Sequence, residues 1–401
     1  MKRYTHWMWI IICVNLLSVT SILSAQTENS VNAEWVRDME WKPDGSQIAF
    51  ATQAGLIQIL DSATGQTLVT LQNDATIPAY TLAWSPDGTQ LASAGEDRLI
   101  QIWDTVTSEL AHTLSGHTLG INSIKWSPDG TKLASVGYYE SVRVWEVANE
   151  QSVVIPFVGD VISVEWKADG TALAVGGFMQ IQIWDANTYQ SQQTIQIPSY
   201  ATFMAWTVDG TILAVADARI GNDPGISLWD VNTGELLRTF EGHSDTVTSV
   251  AWSIDENFLA STSHDGTVRL WDVSSGQTLE VIQTGDSVFS AAFSPFGGRL
   301  AYGVVPSDAM GLQQDTLPAT TSFAEGAIQI VVPAPPLERL QAIQAACMSA
   351  PAVGQMDAQE ITLDALPEYV AQVEALTDAE IPPGCAADLV AIAEALIAEG
   401  Q

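Results

Sequence analysis

The segment WSPDGTQLASAGEDRLIQIWD, from Trp84 to Asp104, contains the pattern from which the fold can be predicted. Its Pro-Asp-Gly run is typical of a tight turn, because proline sets φ and glycine supplies a positive φ. Alternating apolar positions up to the turn, such as Leu82 and Trp84, predict a half-buried strand, and TQLASA and LIQIWD predict a second and a third short strand. The stretch therefore predicts the end of one strand, a turn, and two further antiparallel strands.

The same stretch recurs along the chain, and such a period is typical of repeat proteins. The aromatic residue that begins each copy stands at seven positions, 40 to 46 residues apart: Trp41, Trp84, Trp126, Trp166, Trp206, Trp252 and Phe293. The linking segments, such as 110–116, predict a fourth strand in each copy. Copies of four short strands avoid open sheet edges when they close radially into blades. The sequence therefore predicts an all-β fold, a seven-bladed β-propeller.

Two dipeptides within the repeats carry a family resemblance. Gly-His stands early in the third and sixth repeats, at His117 and His243, and Trp-Asp ends the predicted third strand of four repeats, at Trp103, Trp184, Trp229 and Trp271. The chain resembles the WD-repeat β-propellers, in an exported bacterial form with a C-terminal helical extension. The resemblance covers about three quarters of the chain. It implies a binding platform rather than a particular chemistry.

The resemblance also implies a structural network within a blade. The network joins the histidine of Gly-His, a serine on the second strand, an aspartate in the next turn, and the tryptophan of Trp-Asp. The sixth repeat alone has the full set, as His243, Ser261, Asp265 and Trp271. The third repeat has Tyr139 at the aspartate position. We therefore expect the other blades to hold their shape mainly by apolar packing and turns.

Residues 1–25 predict a signal peptide, because two basic residues precede an apolar run from 7 to 23 and small residues follow it. Cleavage after this segment predicts a secreted or extracytoplasmic protein. Anchoring by an uncleaved N-terminal helix is the alternative, since Leu23 fits poorly at its place before the cleavage site. The propeller domain then covers 26–333. Its last blade either takes a fourth strand from the segment before Trp35 or has three strands.

Residues 334–401 predict a small α-helical domain that follows the propeller. Apolar residues at helical spacing indicate three helices, and the first and third carry Cys347 and Cys385 on their apolar faces. Cleavage of the signal peptide removes Cys13, so this even pair predicts one disulfide in an exported chain. The bond would close a loop of 38 residues. Such a bond stabilises a fold by about 4 kcal/mol in the chain-entropy estimate.

The charge of the chain argues against several partners. The formal net charge is −33, from 47 acidic and 14 basic residues, so the protein repels nucleic acid and anionic membranes. We expect no membrane insertion beyond the N-terminal signal.

The motifs of serine hydrolases, zinc proteases, phosphate-binding loops and Cys-x-x-Cys sites are absent from the sequence. The aspartates of the turns stand once per repeat, too isolated to bind calcium. The sequence therefore predicts no enzyme, no cofactor and no metal.

Function is expected on one face of the ring. The loops between second and third strands, and those from a fourth strand to the next repeat, open on the same face, here called the top face. Two of them are long, at 217–225 and 304–326, and long loops on a rigid scaffold often bind ligands. The candidate partner-binding residues lie in these loops and in the turn between them: Asp217, Arg219, Asp223, His264, Asp308, Met310 and Phe323.

We therefore expect a monomeric, non-catalytic, extracytoplasmic scaffold that binds protein partners on the top face across blades five to seven. Two alternatives stay open at this point. One is a propeller enzyme or carbohydrate-binding protein that uses the central funnel and top loops. The other is a purely structural component of the cell envelope.

Overall fold

The computed structural model describes most of the repeat region and one helix of the tail. The described residues are 27–33, 36–72, 77–157, 159–217, 225–285, 287–305, 326–331, 370, 373, 381 and 383–399. Within them the chain forms β-strands, one short 3-10 helix and one α-helix. No helix in these ranges is both long and apolar enough to cross a membrane.

The first half of the described chain forms three antiparallel sheets of four strands. Sheet I contains β2 to β5, with the bounds Val36–Trp41, Gln47–Thr52, Leu56–Asp61 and Thr67–Gln72. Sheet II contains β6 to β9, with the bounds Ala79–Trp84, Gln90–Gly95, Leu99–Asp104 and Leu110–Ser115. Sheet III contains β10 to β13, with the bounds Ile121–Trp126, Lys132–Gly137, Val142–Glu146 and Gln151–Ile155. The 3-10 helix Val147–Asn149 precedes β13.

The second half forms three further sheets and the α-helix. Sheet IV has six strands, β14 to β19: Val161–Trp166, Ala172–Asp185, Ser191–Trp206, Ile212–Asp217, Gly225–Asp230 and Leu236–Glu241. Sheet V contains β20 to β23: Val247–Trp252, Phe258–Ser263, Thr267–Asp272 and Thr278–Gln283. Sheet VI contains β24, β25, β26 and the N-terminal strand β1: Ser287–Phe293, Leu300–Val305, Gly326–Val331 and Thr27–Ala33. Helix α1 is Pro383–Glu399.

The propeller is as expected, but the predicted seven separate blades followed by a small α-helical domain are wrong. The described strands form five four-stranded blades and one six-stranded sheet, sheet IV. Sheet IV combines the fourth and fifth repeats because β15 and β16 continue through positions where the repeat pattern predicts breaks. Phe178 and Tyr200 pair across these two strands, and their rings lie 4.6 Å apart. In the tail, α1 is the helix that the structure describes, at the place of the third predicted helix.

Sheet VI joins the two ends of the repeat region. β1 pairs antiparallel with β26, and its register runs from Thr27 opposite Val331 to Ala33 opposite Gly326. The segment before Trp35 therefore supplies the fourth strand of the last sheet. This pairing covers the edge of β26, so the last blade has four strands with β1 as its outer strand.

Apolar side chains pack between neighbouring sheets. Between sheets II and III, for example, Ile100 and Leu114 lie in one buried cluster with Ile124 and Trp145. Strands in the middle of a sheet are buried on both faces, so they read as nearly continuous apolar runs, as in β7 and β11. This packing explains why the repeats have strong apolar patterns.

A ring of indole hydrogen bonds links the inner strands of successive repeats. The tryptophan that begins each copy donates from Nε1 to a carbonyl oxygen of the preceding inner strand, one residue before that strand's own aromatic residue. The pairs are Trp84 to Glu40 (3.2 Å), Trp126 to Ala83 (3.0 Å), Trp166 to Lys125 (3.0 Å), Trp206 to Glu165 (3.4 Å), Trp252 to Ala205 (3.0 Å) and Trp41 to Ala292 (2.9 Å). Phe293 occupies the same place in β24 but has no N–H to donate.

Candidate functional site

The top face carries a connected group of rings around one arginine, which we call the top-face arc. It consists of His264, Phe289, Arg37, Tyr80 and Tyr138. The Arg37 guanidinium carbon lies 5.3 Å from the ring centroid of Tyr80 and 5.3 Å from that of Phe289. Tyr80 and Tyr138 meet edge to face, with centroids 6.4 Å apart. The rings of His264 and Phe289 lie 4.7 Å apart. The arc therefore runs from sheet V through sheets VI, I and II to sheet III.

Hydrogen bonds hold the arc in place. Arg37 Nε donates to Gln53 Oε1 at 2.6 Å, and the Tyr80 hydroxyl donates to Glu96 Oε2 at 2.9 Å. Burial raises the pKa of the Tyr80 hydroxyl, and the bond to Glu96 raises it further, so Tyr80 stays a neutral donor. Burial also lowers the pKa of His264, which is therefore neutral at pH 7. Its Nε2 is buried and has no hydrogen-bond partner among the described residues.

Large apolar side chains point into solvent from the top-face turns around sheet III and from β15 of sheet IV, and one of them, Tyr138, also belongs to the arc. The exposed fractions are 75% for Tyr139, 45% for Tyr138, 45% for Leu119, 38% for Phe178 and 48% for Met179. Tyr139 and Met179 adopt positive φ values of 52° and 60°, which bulky side chains rarely do. Other exposed apolar side chains, such as Val106 and Val208, lie elsewhere, but a group of this kind on one face indicates an interaction surface. We call these five residues the exposed group.

Of the seven predicted partner-binding residues, one lies in the top-face arc, one is buried, and five lie outside the described residues. His264 lies in the top-face arc, as part of the turn between β21 and β22. Asp217 is only 1% exposed and ends β17, so it is a buried strand residue rather than an accessible loop residue. The remaining predicted residues, Arg219, Asp223, Asp308, Met310 and Phe323, lie outside the described residues. The exposed group lies on sheets III and IV, outside the region expected from the long loops.

The predicted structural network of the sixth repeat is present in sheet V. His243 Nε2 lies 2.8 Å from Ser261 Oγ, and His243 Nδ1 lies 2.9 Å from Asp265 Oδ2. The Trp271 indole donates to Ser261 Oγ at 2.8 Å. Burial lowers the pKa of His243, although Asp265 opposes this shift. The imidazole is therefore neutral at pH 7 and bridges the two partners.

A second network of this kind lies in sheet III, where the sequence has the histidine, the serine and the tryptophan but Tyr139 at the aspartate position. His117 Nε2 lies 2.7 Å from Ser135 Oγ, and the Trp145 indole donates to the same oxygen at 2.8 Å. Glu140, one residue after the expected position, lies 2.6 Å from His117 Nδ1. Tyr139 turns outward at that position, and the longer Glu140 side chain reaches the histidine. The acid of this network therefore comes from Glu140 rather than from the aspartate position of the repeat.

The central channel contains charged side chains that the sequence did not single out. The Lys125 ammonium lies 3.7 Å from Glu40 Oε1 and 3.7 Å from Glu165 Oε2, beside a cavity of about 570 Å³. Burial raises the pKa of Glu165 to about 7. Burial also raises the pKa of Glu40 and Asp38, while Lys125 opposes this shift.

Two of these carboxylates bond to the neighbouring inner strand. Asp38 Oδ2 accepts from the backbone N–H of Leu82 at 3.0 Å, and Glu40 Oε2 accepts from that of Trp84 at 2.6 Å. The described residues contain no group of three or more potential metal ligands. The carboxylates of Asp38 and Glu40 therefore join sheets I and II.

Comparison with known proteins agrees with the geometry. Three family models match parts of the chain: the first β-propeller of WDR19 at residues 122–296, the WD domain G-beta repeat at 65–104, and the WD40 domain of anaphase-promoting complex subunit 4 at 11–79. All three models describe WD repeats or propellers, in agreement with the repeats, the sheets and the His–Ser–Trp networks. The chain is a WD-repeat β-propeller.

Several curated proteins share parts of this WD-repeat propeller. The target of rapamycin complex subunit wat1 of Schizosaccharomyces pombe is 37% identical over 92 residues, which cover 22% of this chain and 28% of that protein. The U3 small nucleolar RNA-associated protein 21 homolog of the same organism is 31% identical over 121 residues, 30% of this chain and 13% of that protein. The protein transport protein sec13 of Emericella nidulans is 34% identical over 92 residues, 20% of this chain and 30% of that protein.

The matches are too short for the function of these relatives to be transferred to this chain. The matched segments span less than a third of the length of each of these relatives. The three relatives are fungal, so they lend no support to the expected exported bacterial type. The similarity therefore concerns the repeats and leaves the partner open.

Proposed function

We propose that this WD-repeat propeller is a non-catalytic scaffold that binds a protein partner on its top face. The observation that carries this proposal is the exposed group beside the top-face arc. Tyrosine, phenylalanine and arginine are enriched at the energetic centres of protein interfaces, and these residue types gather on the top face. The strands of the sheets hold them on a rigid base, which lowers the entropy cost of binding.

The contacting segment of the partner carries apolar and basic side chains. The turns 95–98, 116–120, 138–141 and 156–160 carry four acidic residues and one arginine: Glu96, Asp97, Glu140, Asp160 and Arg98. The whole chain has the same bias, with 47 acidic and 14 basic residues. Opposite charge on a partner speeds association and disfavours acidic competitors.

The exported location stays part of the proposal. Its support is the basic, apolar and small-residue pattern of residues 1–25. Expression of the full chain, followed by cell fractionation and N-terminal sequencing, tests it. Export predicts a chain that starts near residue 26 outside the cytoplasm, whereas a full-length chain in the cytoplasm contradicts it.

A defined peptide tests binding at the top face. The probe is a synthetic peptide of alternating leucine and lysine, compared with its leucine-glutamate counterpart. The variant Tyr138→Ser with Tyr139→Ser removes two exposed rings, and Val208→Ser is the matched control, since Val208 is 74% exposed on the opposite face. We expect the double variant to weaken binding of the lysine peptide about ten-fold, which corresponds to about 1.4 kcal/mol.

The control variant shows whether a loss of affinity is specific to the top face. Val208→Ser keeps the affinity of the unchanged chain if binding depends on the top face. Equal losses in both variants, or equal binding of the lysine and glutamate peptides, contradict the proposal.

A further inference from the structure

Helix α1 lies on the bottom face of the ring, opposite the top face, where the first and last sheets meet. A buried ion pair fixes it there. Arg299, in the turn between β24 and β25, donates from Nε to Oδ1 of Asp388 on α1 at 2.6 Å. Arg299 is 1% exposed and Asp388 is 0% exposed. A buried charge pair of this kind is tolerated only when its geometry and hydrogen bonds are good.

Arg299 also reaches across to sheet I. Its Nη1 donates to the carbonyl oxygen of Ser62 at 2.6 Å, and its Nη2 donates to Ser62 Oγ at 3.3 Å. Its guanidinium carbon lies 4.9 Å from the ring centroid of Trp41. Ser62 follows β4 and Trp41 ends β2, so one arginine of sheet VI contacts two places in sheet I.

Besides the ion pair with Arg299, Asp388 accepts two further hydrogen bonds from sheet VI. Its Oδ2 accepts from the hydroxyl of Ser294 and, at 3.2 Å, from the backbone N–H of Gly298. At the start of α1, the backbone N–H of Gly384 donates to the carbonyl oxygen of Asp44 in sheet I at 3.1 Å. The helix therefore bonds to both sheets at this junction.

The backbones approach so closely that two glycines are required. A Cβ at Gly298 would lie 2.7 Å from Cβ of Asp388, and a Cβ at Gly384 would lie 2.4 Å from the carbonyl oxygen of Asp44. Real Cβ contacts are essentially never this short. Phe296 of the same turn packs against the apolar cluster of α1, which includes Leu389. Both α1 and the turn between β24 and β25 therefore carry residues that this contact requires.

We propose that α1 is a clasp that holds the ring closed at the junction of sheets VI and I. The clasp adds to the β1–β26 pairing and to the Trp41 bond at the same junction. Release of the clasp opens this junction locally and leaves sheets II and III folded. The C-terminal helix therefore stabilises the closed ring.

Hydrogen–deuterium exchange of the full chain tests the clasp. Asp388→Asn removes the ion pair, and Glu394→Gln is the matched control, since Glu394 lies on α1 and is exposed. We expect Asp388→Asn to speed exchange about ten-fold or more in β1 and β24 to β26, with no change in β6 to β13. The control should exchange like the unchanged chain. Unchanged exchange at the junction, or equal acceleration in every sheet, overturns the proposal.

A second measurement serves if Asp388→Asn does not fold. Exchange of the unchanged chain is followed at increasing low concentrations of urea, where partly open forms are populated. The clasp predicts that α1, β1 and β24 to β26 open as one unit before β6 to β13. Opening of α1 alone, with the junction strands still protected, overturns the proposal.

Discussion

The indole Nε1 of Trp41 donates to the carbonyl oxygen of Ala292 at 2.9 Å, and these residues are 251 positions apart in the chain. The bond joins the inner strand of the first sheet to that of the last. It is the closing link in a series of equivalent bonds between successive inner strands. At the junction of β20 and β24, Phe293 stands in the tryptophan place and donates no such bond.

Trp41→Phe should lower the free energy of unfolding by about 1 kcal/mol, the usual net contribution of one hydrogen bond. Phe293→Trp should raise it by a similar amount, because Phe293 borders the central cavity, where a larger ring has room. Urea unfolding of both variants measures the two shifts. If Trp41→Phe raises the free energy of unfolding, or Phe293→Trp lowers it, the indole bonds do not stabilise the ring.

Glu140→Ala should destabilise sheet III. The change leaves the buried His117 Nδ1 without its carboxylate, and an unpaired buried polar group costs about 1 to 3 kcal/mol. The neighbouring Tyr139→Ala is the control, and the exposed position predicts a change within about 0.5 kcal/mol. Thermal unfolding of the two variants measures the difference. Equal losses show that Glu140 has no special place in the network.

The pH dependence of stability should report Glu165. Its pKa in the folded protein, about 7, exceeds the ordinary value of a glutamate, so the folded state binds the proton more tightly than the unfolded state. The contribution of Glu165 is therefore most favourable at low pH and is lost as the pH rises towards 7. Glu165→Gln removes this loss. Urea unfolding at pH 5, 6, 7 and 8 should show the variant gaining on the unchanged chain as the pH rises to about 7.

The histidines oppose this trend, which makes the variant comparison necessary. Burial lowers the pKa of His117 and His243, so their contribution is present above the ordinary histidine pKa and is lost as the pH falls below it. Both proteins in the comparison carry these histidines, so their effect cancels. A difference between Glu165→Gln and the unchanged chain that does not vary with pH contradicts the raised pKa.

The disulfide of the tail gives a further prediction. Cys385 is buried in α1 and disulfide-bonded, while Cys347 lies outside the described residues. Its pairing with Cys347 stays a prediction, and peptide mapping under non-reducing conditions tests it. Cys347→Ser should then lower the stability of the tail by about 4 kcal/mol. A linkage of Cys385 to Cys13 refutes the pairing.

The sequence predicts the parts of the fold that depend on local patterns. The Pro-Asp-Gly turns and the alternating strands are local, and the repeats multiply the same pattern. The six-stranded sheet IV was missed because the continuity of β15 and β16 depends on the pairing of Phe178 with Tyr200, 22 positions away. Gly176 and Gly177 before Phe178, and Pro198 before Tyr200, are local signals of a break, yet both strands continue through them.

The candidate site was predicted only in part, because its residues come from many sheets. His264 stood in a top-face turn and was expected there. Arg37, Tyr80 and Phe289 lie near the starts of inner strands, where each looks like an ordinary strand residue. The Arg299–Asp388 pair spans 89 positions and has no local pattern at all. Such groups become visible only when the sheets are placed around the ring.

Photo-cross-linking from the top face tests the binding proposal most directly. A photoreactive amino acid replaces Tyr139 in one full-length chain and Val208, on the opposite face, in another, and each is irradiated in its native host. A partner-binding top face predicts that position 139 cross-links to a distinct protein, while position 208 does not. Cross-links from position 208 alone, or the same proteins from both positions, would contradict a partner-binding top face.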